Sequence, residues 1–84
     1  MLLYVVFCTH YEFESTDVDV VAVASSKQKA MQFAVRDARS RTAKQRKERE
    51  WSYSQIPLDT YLGMGATKDE FANYEEHNIN VEEV

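Results

Sequence analysis

The chain has 84 residues, 44% of them hydrophobic and 12% aromatic, and a formal net charge of −4. A length this short allows one small domain with little surplus stability, and the clustering of its apolar residues in periodic runs argues against disorder throughout. A single cysteine excludes an internal disulfide, and no apolar run approaches the length of a membrane span.

The net charge conceals a segregation along the chain. Residues 1–24 hold four acids and no bases (−4), residues 25–50 nine bases and three acids (+6), and residues 51–84 one base and seven acids (−6), which sum to −4. One strongly basic segment therefore lies between two acidic ones, a more informative fact than the acidic pI.

Residues 2–14 read as a first strand. Leu3, Val5 and Phe7 alternate with Leu2, Tyr4, Val6 and Cys8, so both faces are apolar, as in a central strand. Past Cys8 the pattern turns polar, with His10, Glu12 and Glu14 against Tyr11 and Phe13, a ribbon leaving the core. Ser15-Thr16-Asp17 supplies turn chemistry, and Val18 to Ala24 should return as an antiparallel strand. Ser25 or Ser26 then caps a helix whose stripe is Ala30, Phe33, Ala34 and Ala38, widened by Met31 and Val35.

Helix-forming residues continue past Ala38 without Gly or Pro. The helix is expected to span about 26–50, with a break near Ser40-Arg41-Thr42 as the other possibility. Trp51, Tyr53 and Gln55 alternate with Ser52, Ser54 and Ile56 in a third strand, which Pro57 should end or mark as an edge. Gly63-Met64-Gly65 is a loop. Thr67-Lys68-Asp69-Glu70 has capping-box spacing, and with Phe71 and Tyr74 it predicts a short helix over about 67–76. Ile79 and Val81 alternate with polar residues in a final edge strand or acidic tail from about residue 77. The fold class is α+β: one domain over 1–84, a small antiparallel sheet with a ββαβ core, one long amphipathic helix on one face and a short C-terminal helix.

Catalytic constellations are absent, and an enzyme is not expected. His10 and His77 flank no Cys-x-x-Cys or His-x-x-x-His spacing, so they read as solvated surface histidines rather than metal ligands. Cys8 and His10 share a strand face as nucleophile and base would, yet nothing orients the pair or supplies an oxyanion hole. Cys8 itself sits in an apolar run, where an inert buried thiol in a reducing compartment is expected. Gly63-x-Gly65 is too short to cradle a phosphate. No cofactor is implied. The N-terminus has no basic residue before its apolar run and no small-residue cleavage site after it, so no signal peptide is expected and the cytoplasm is the default setting.

Two charged surfaces remain. Seven of the ten bases, Arg36, Arg39, Arg41, Lys44, Arg46, Lys47 and Arg49, fall within fourteen residues. Arg39, Lys44, Arg46, Lys47 and Arg49 could contact phosphates, with Trp51 offering a stacking surface. The plainer account is a solvated helix end whose charge answers the acidic flanks and suits the helix dipole. Conversely Glu12, Glu14, Asp17 and Asp19 on one hairpin, with Asp69, Glu70, Glu75 and Glu76, could present a carboxylate array to a basic groove on another protein, although surface acids also simply keep small proteins soluble.

Leu3-Tyr4-Val5-Val6-Phe7, Thr9-His10-Tyr11-Glu12-Phe13 and Val20-Val21-Ala22-Val23-Ala24-Ser25-Ser26-Lys27-Gln28-Lys29-Ala30 together resemble a family of small phage and bacterial proteins of unknown function. In these a hairpin leads to a strand ending in Ser-Ser-x-x-Lys-Ala, then a helix and a returning strand. The pattern covers about residues 3–40, and the basic stretch 39–50 and the acidic tail depart from it. The resemblance implies a ββαβ fold and a mobile-element origin, and no activity. The expected function is therefore a non-enzymatic binding protein, a phage-type accessory or inhibitor docking on a host protein. The alternative is a nucleic-acid-binding module using residues 36–49. A homodimer would help so small a core, and no membrane partner is expected.

Overall fold

A computed structural model describes residues 2–13, 15–57 and 75–82. Their order is β1 (Leu2–Tyr11), β2 (Thr16–Ala24), α1 (Lys27–Arg39), α2 (Ala43–Lys47), β3 (Arg49–Pro57) and β4 (Glu76–Ile79). The strands form one antiparallel sheet in the order β2-β1-β3-β4, so the expected α+β class and the central place of β1 hold.

Alternation along β1 divides the core. Tyr4, Val6 and Cys8 point to the face on which α1 lies, joined in register by Ala24, Tyr53 and Trp51. The helix meets them with Ala30, Ala34 and Ala38, all buried. Methyl side chains let the helix backbone approach the sheet closely, and the bulk is supplied from below by Trp51 and Tyr53. Val5, Phe7 and Ile56 form a second cluster on the other face, with Leu3 and Val18 against it. Each fully buried Val or Phe contributes about 1.5–3 kcal/mol, so β1, buried over Val5–Thr9, anchors both layers.

Val6 pairs with Ala22 but Phe7 with Val20, so β2 carries an extra residue there. This bulge changes the phase of the strand. Val18 and Val20 lie on the second face before it, and Val23, an odd number of residues on, lies on that face after it.

The long helix is corrected. Ser26 caps α1, accepting from the Lys29 N–H at 3.2 Å, but α1 ends at Arg39. The Ser40 hydroxyl donates to the Asp37 carbonyl at 2.6 Å, and Thr42 opens a separate turn, α2. Thr42 and Gln45 form a reciprocal capping box: the Gln45 N–H donates to Thr42 Oγ1 and the Thr42 N–H to Gln45 Oε1. Arg46 reaches back to donate to the carbonyls of Arg41 (2.6 Å) and Ala38 (3.3 Å), and the Ala38 carbonyl also accepts from the Arg41 N–H, so the turn after α1 is tied down. A cation there also suits the helix dipole. The chain can then turn into β3 at Arg49. Of the short helix expected over 67–76, residues 67–74 lie outside the described residues, and Glu76 is in β4 rather than a helix. β4 covers Glu76–Ile79, slightly earlier than the alternation of Ile79 and Val81 suggested. Among the described residues no helix is long and apolar enough to cross a membrane.

Candidate protein-docking surface

The end of the β1–β2 hairpin gathers the first group of acids. The Glu12 N–H donates to the Ser15 carbonyl at 2.8 Å and closes the hairpin. His10 faces Asp17 across the strands and Arg49 on the other side. Its Nδ1 is 3.3 Å from Glu12 and its Nε2 3.7 Å from Glu48. One ligand atom each of His10, Glu12 and Asp17 lie within 4.8 Å of one another. Exposed imidazole and carboxylate groups attract one another in this way without an ion. Asp19 follows Asp17 on the same face of β2.

The hairpin end also carries two exposed aromatics. Phe13 is 100% exposed, and Tyr11 is about half exposed. Tyr11 donates its hydroxyl to Glu50 at 3.0 Å, and this bond to a carboxylate raises its pKa above the usual phenol range. A wholly exposed phenylalanine flanked by carboxylates was not singled out from the sequence. The signal was present, because Phe13 lies in the ribbon beyond Cys8 where alternation had already turned polar.

Of the other expected acids, the described ones do not join this group. Glu75 and Glu76 lie at the start of β4, the opposite edge of the sheet from β2. Glu14, Asp69 and Glu70 lie outside the described residues. Among the described residues, Glu12, Asp17 and Asp19 are brought together, and Glu75 and Glu76 lie away from them.

The basic set is divided too. Trp51 is buried, and its indole N–H donates to Asp37 Oδ2 at 2.8 Å, so its ring is not open to a base. Arg46 is bonded to the carbonyls of Ala38 and Arg41 and lies 3.8 Å from Glu82. Arg49 donates to Cys8 Sγ at 3.9 Å, and its buried Nε has no hydrogen-bond partner. Arg41 pairs with Asp37 at 3.4 Å. Arg36, Arg39, Lys44 and Lys47 stay exposed on α1 and α2. Three of the six residues proposed from the sequence as a phosphate-binding face are thus engaged in contacts within the fold.

Cys8 is wholly buried and free of any disulfide. Burial pushes its thiol above the usual value near 9.0, and the Arg49 contact offsets part of that rise. His10 is two residues along the same strand, but its nitrogens face Glu12 and Glu48, so the pair is not arranged as nucleophile and base.

No protein-family model, curated protein or solved structure matches the chain. The likeness of residues 3–40 to small phage and bacterial proteins stays one of pattern alone.

Proposed function

We propose that this is a non-enzymatic binding protein that docks on another protein through the end of its β1–β2 hairpin. The observation that carries it is Phe13, fully exposed at the hairpin end where Glu12 and Asp17 gather around His10. Water contact with a whole phenyl ring has a standing cost, and moving it into an apolar pocket gains about 2–3 kcal/mol. The carboxylates would steer the encounter and fix its register. The partner surface is thus an apolar pocket rimmed by lysine or arginine. A phage-type accessory or inhibitor acting on a host protein has this form, and the pattern of residues 3–40 supports that setting.

The nucleic-acid reading keeps one supporting observation, the exposed Arg39, Lys44 and Lys47 on adjoining helices. One experiment separates the two. Tagged wild-type protein and the Phe13→Asp variant are used to capture partners from a bacterial lysate, with and without nuclease. A protein band that survives nuclease and is lost with Phe13→Asp supports docking. Recovery that disappears with nuclease, or a band indifferent to position 13, refutes it.

A further inference from the structure

We propose that β2 pairs with β2 of a second copy, antiparallel about a twofold axis at Val20–Val21, and that Asp19 of each copy is neutralised by Arg36 of the other. Among the described residues β2 is an edge strand, with β1 on one side only. The closing bond from Glu12 to Ser15 fixes which backbone groups face β1. Those of Ser15, Asp17 and Asp19 turn inward, and those of Thr16 and Val18 turn outward. Beyond the bulge the alternation resumes with Ala22 and Ala24 inward and Val23 outward. A row of outward N–H and C=O groups over nine residues is a template for another strand.

The bulge makes the strand self-complementary. Val20 and Val23 are each 55% exposed, on the face away from α1. With the axis at Val20–Val21, Val18 of one copy stands opposite Val23 of the other. Both are outward-facing, so they can exchange main-chain hydrogen bonds, and their side chains share a face. Without the extra residue Val18 and Val23 would fall on opposite faces, and this register would set an apolar side chain against a polar one.

Charge selects the same register. On the helix side, Asp19 of one copy stands opposite Ala22 of the other. Ala22 lines a groove of about 250 Å³ between β2 and α1, with Val21, Phe33, Arg36, Asp37 and Ser40. Arg36 therefore borders the place where the second copy's Asp19 arrives. Both side chains are exposed, and neither has an ion-pair partner among the described residues. One turn further, Asp17 would come beside the start of α1, where Lys27 and Lys29 follow the cap. The acidic half of each β2 thus meets the basic start of the other copy's helix. This surface shares Asp17 and Asp19 with the hairpin end but not Phe13, so a change in mass tests it independently of the docking proposal.

The test is the mass in solution by light scattering across a dilution series, with circular dichroism to confirm folding. Wild type should show twice the chain mass of 9.8 kDa. Asp19→Lys and Arg36→Glu, each replacing two symmetric attractions by repulsions, should each weaken association about tenfold or more. The double variant, which restores both pairs with the signs exchanged, should return to the wild-type mass. A wild type of single-chain mass throughout overturns the proposal. So do single variants as dimeric as wild type, or a double variant no more dimeric than either single.

Discussion

Asp37→Ala is the substitution whose effect follows most directly from the packing. Asp37 stands on the sheet side of α1, and its Oδ2 accepts from the Trp51 indole at 2.8 Å and from Arg41 Nε at 3.4 Å. Trp51 is 3% exposed, so an indole N–H stripped of its acceptor has no water to turn to. An unmet buried donor costs about 1–3 kcal/mol, and a bond to a charged acceptor lies toward the upper part of that range. Arg41 is only part-buried, and its ion pair adds about 0.5 kcal/mol or less. The loss should therefore be about 2 kcal/mol, a drop in Tm of roughly 8–16 °C for a domain this small. Urea titration followed by circular dichroism measures it. Asp37→Asn, which keeps an acceptor oxygen, should recover part of the loss. In a double-mutant cycle with Trp51→Phe the two losses should fall short of additivity, because the second change removes the donor that the first leaves unmet. An Asp37→Ala variant within 0.5 kcal/mol of wild type, in a two-state transition, would refute this account of how α1 is fastened to β3.

Three further outcomes follow from the same structure. Thr42→Ala should cost about 1 kcal/mol by removing the Thr42 side of the capping box on α2, with Thr42→Ser close to wild type in the same titration. The Cys8 thiol should resist alkylation in the folded protein and react on unfolding, as mass spectrometry after iodoacetamide would record. Because its folded pKa is raised, its contribution to stability is whole below the ordinary thiol value near 9.0 and is lost as pH climbs above it. Cys8→Ala should flatten that alkaline decline.

Much of the fold was legible because local signals agreed. Two-sided apolar character marked β1 as central, the Ser25-Ser26 pair marked the start of α1, and Pro57 marked the end of β3. The break after Arg39 was harder, since every residue from Ala43 to Arg49 tolerates a helix. The signal was Thr42-x-x-Gln45, a second capping box inside a helix-forming run, and its meaning depends on the tertiary return of Arg46 to the carbonyls of Ala38 and Arg41. Charge misled for the same reason. A run of bases looks like one solvated face, yet Arg46 and Arg49 are spent on carbonyl and thiol acceptors that only the folded chain supplies. The bulge at Val20–Val21 has no sequence marker at all, since consecutive valines fit either phase of a strand.

The measurement that tests the docking surface most directly is site-specific photo-crosslinking in lysate, with a photoreactive residue at position 13 in one protein and at position 44 in another. The hairpin proposal predicts a discrete protein adduct from position 13, insensitive to nuclease, and none of comparable yield from position 44. Nucleic-acid adducts from position 44, with position 13 silent, would contradict it and place the binding surface on the basic helices.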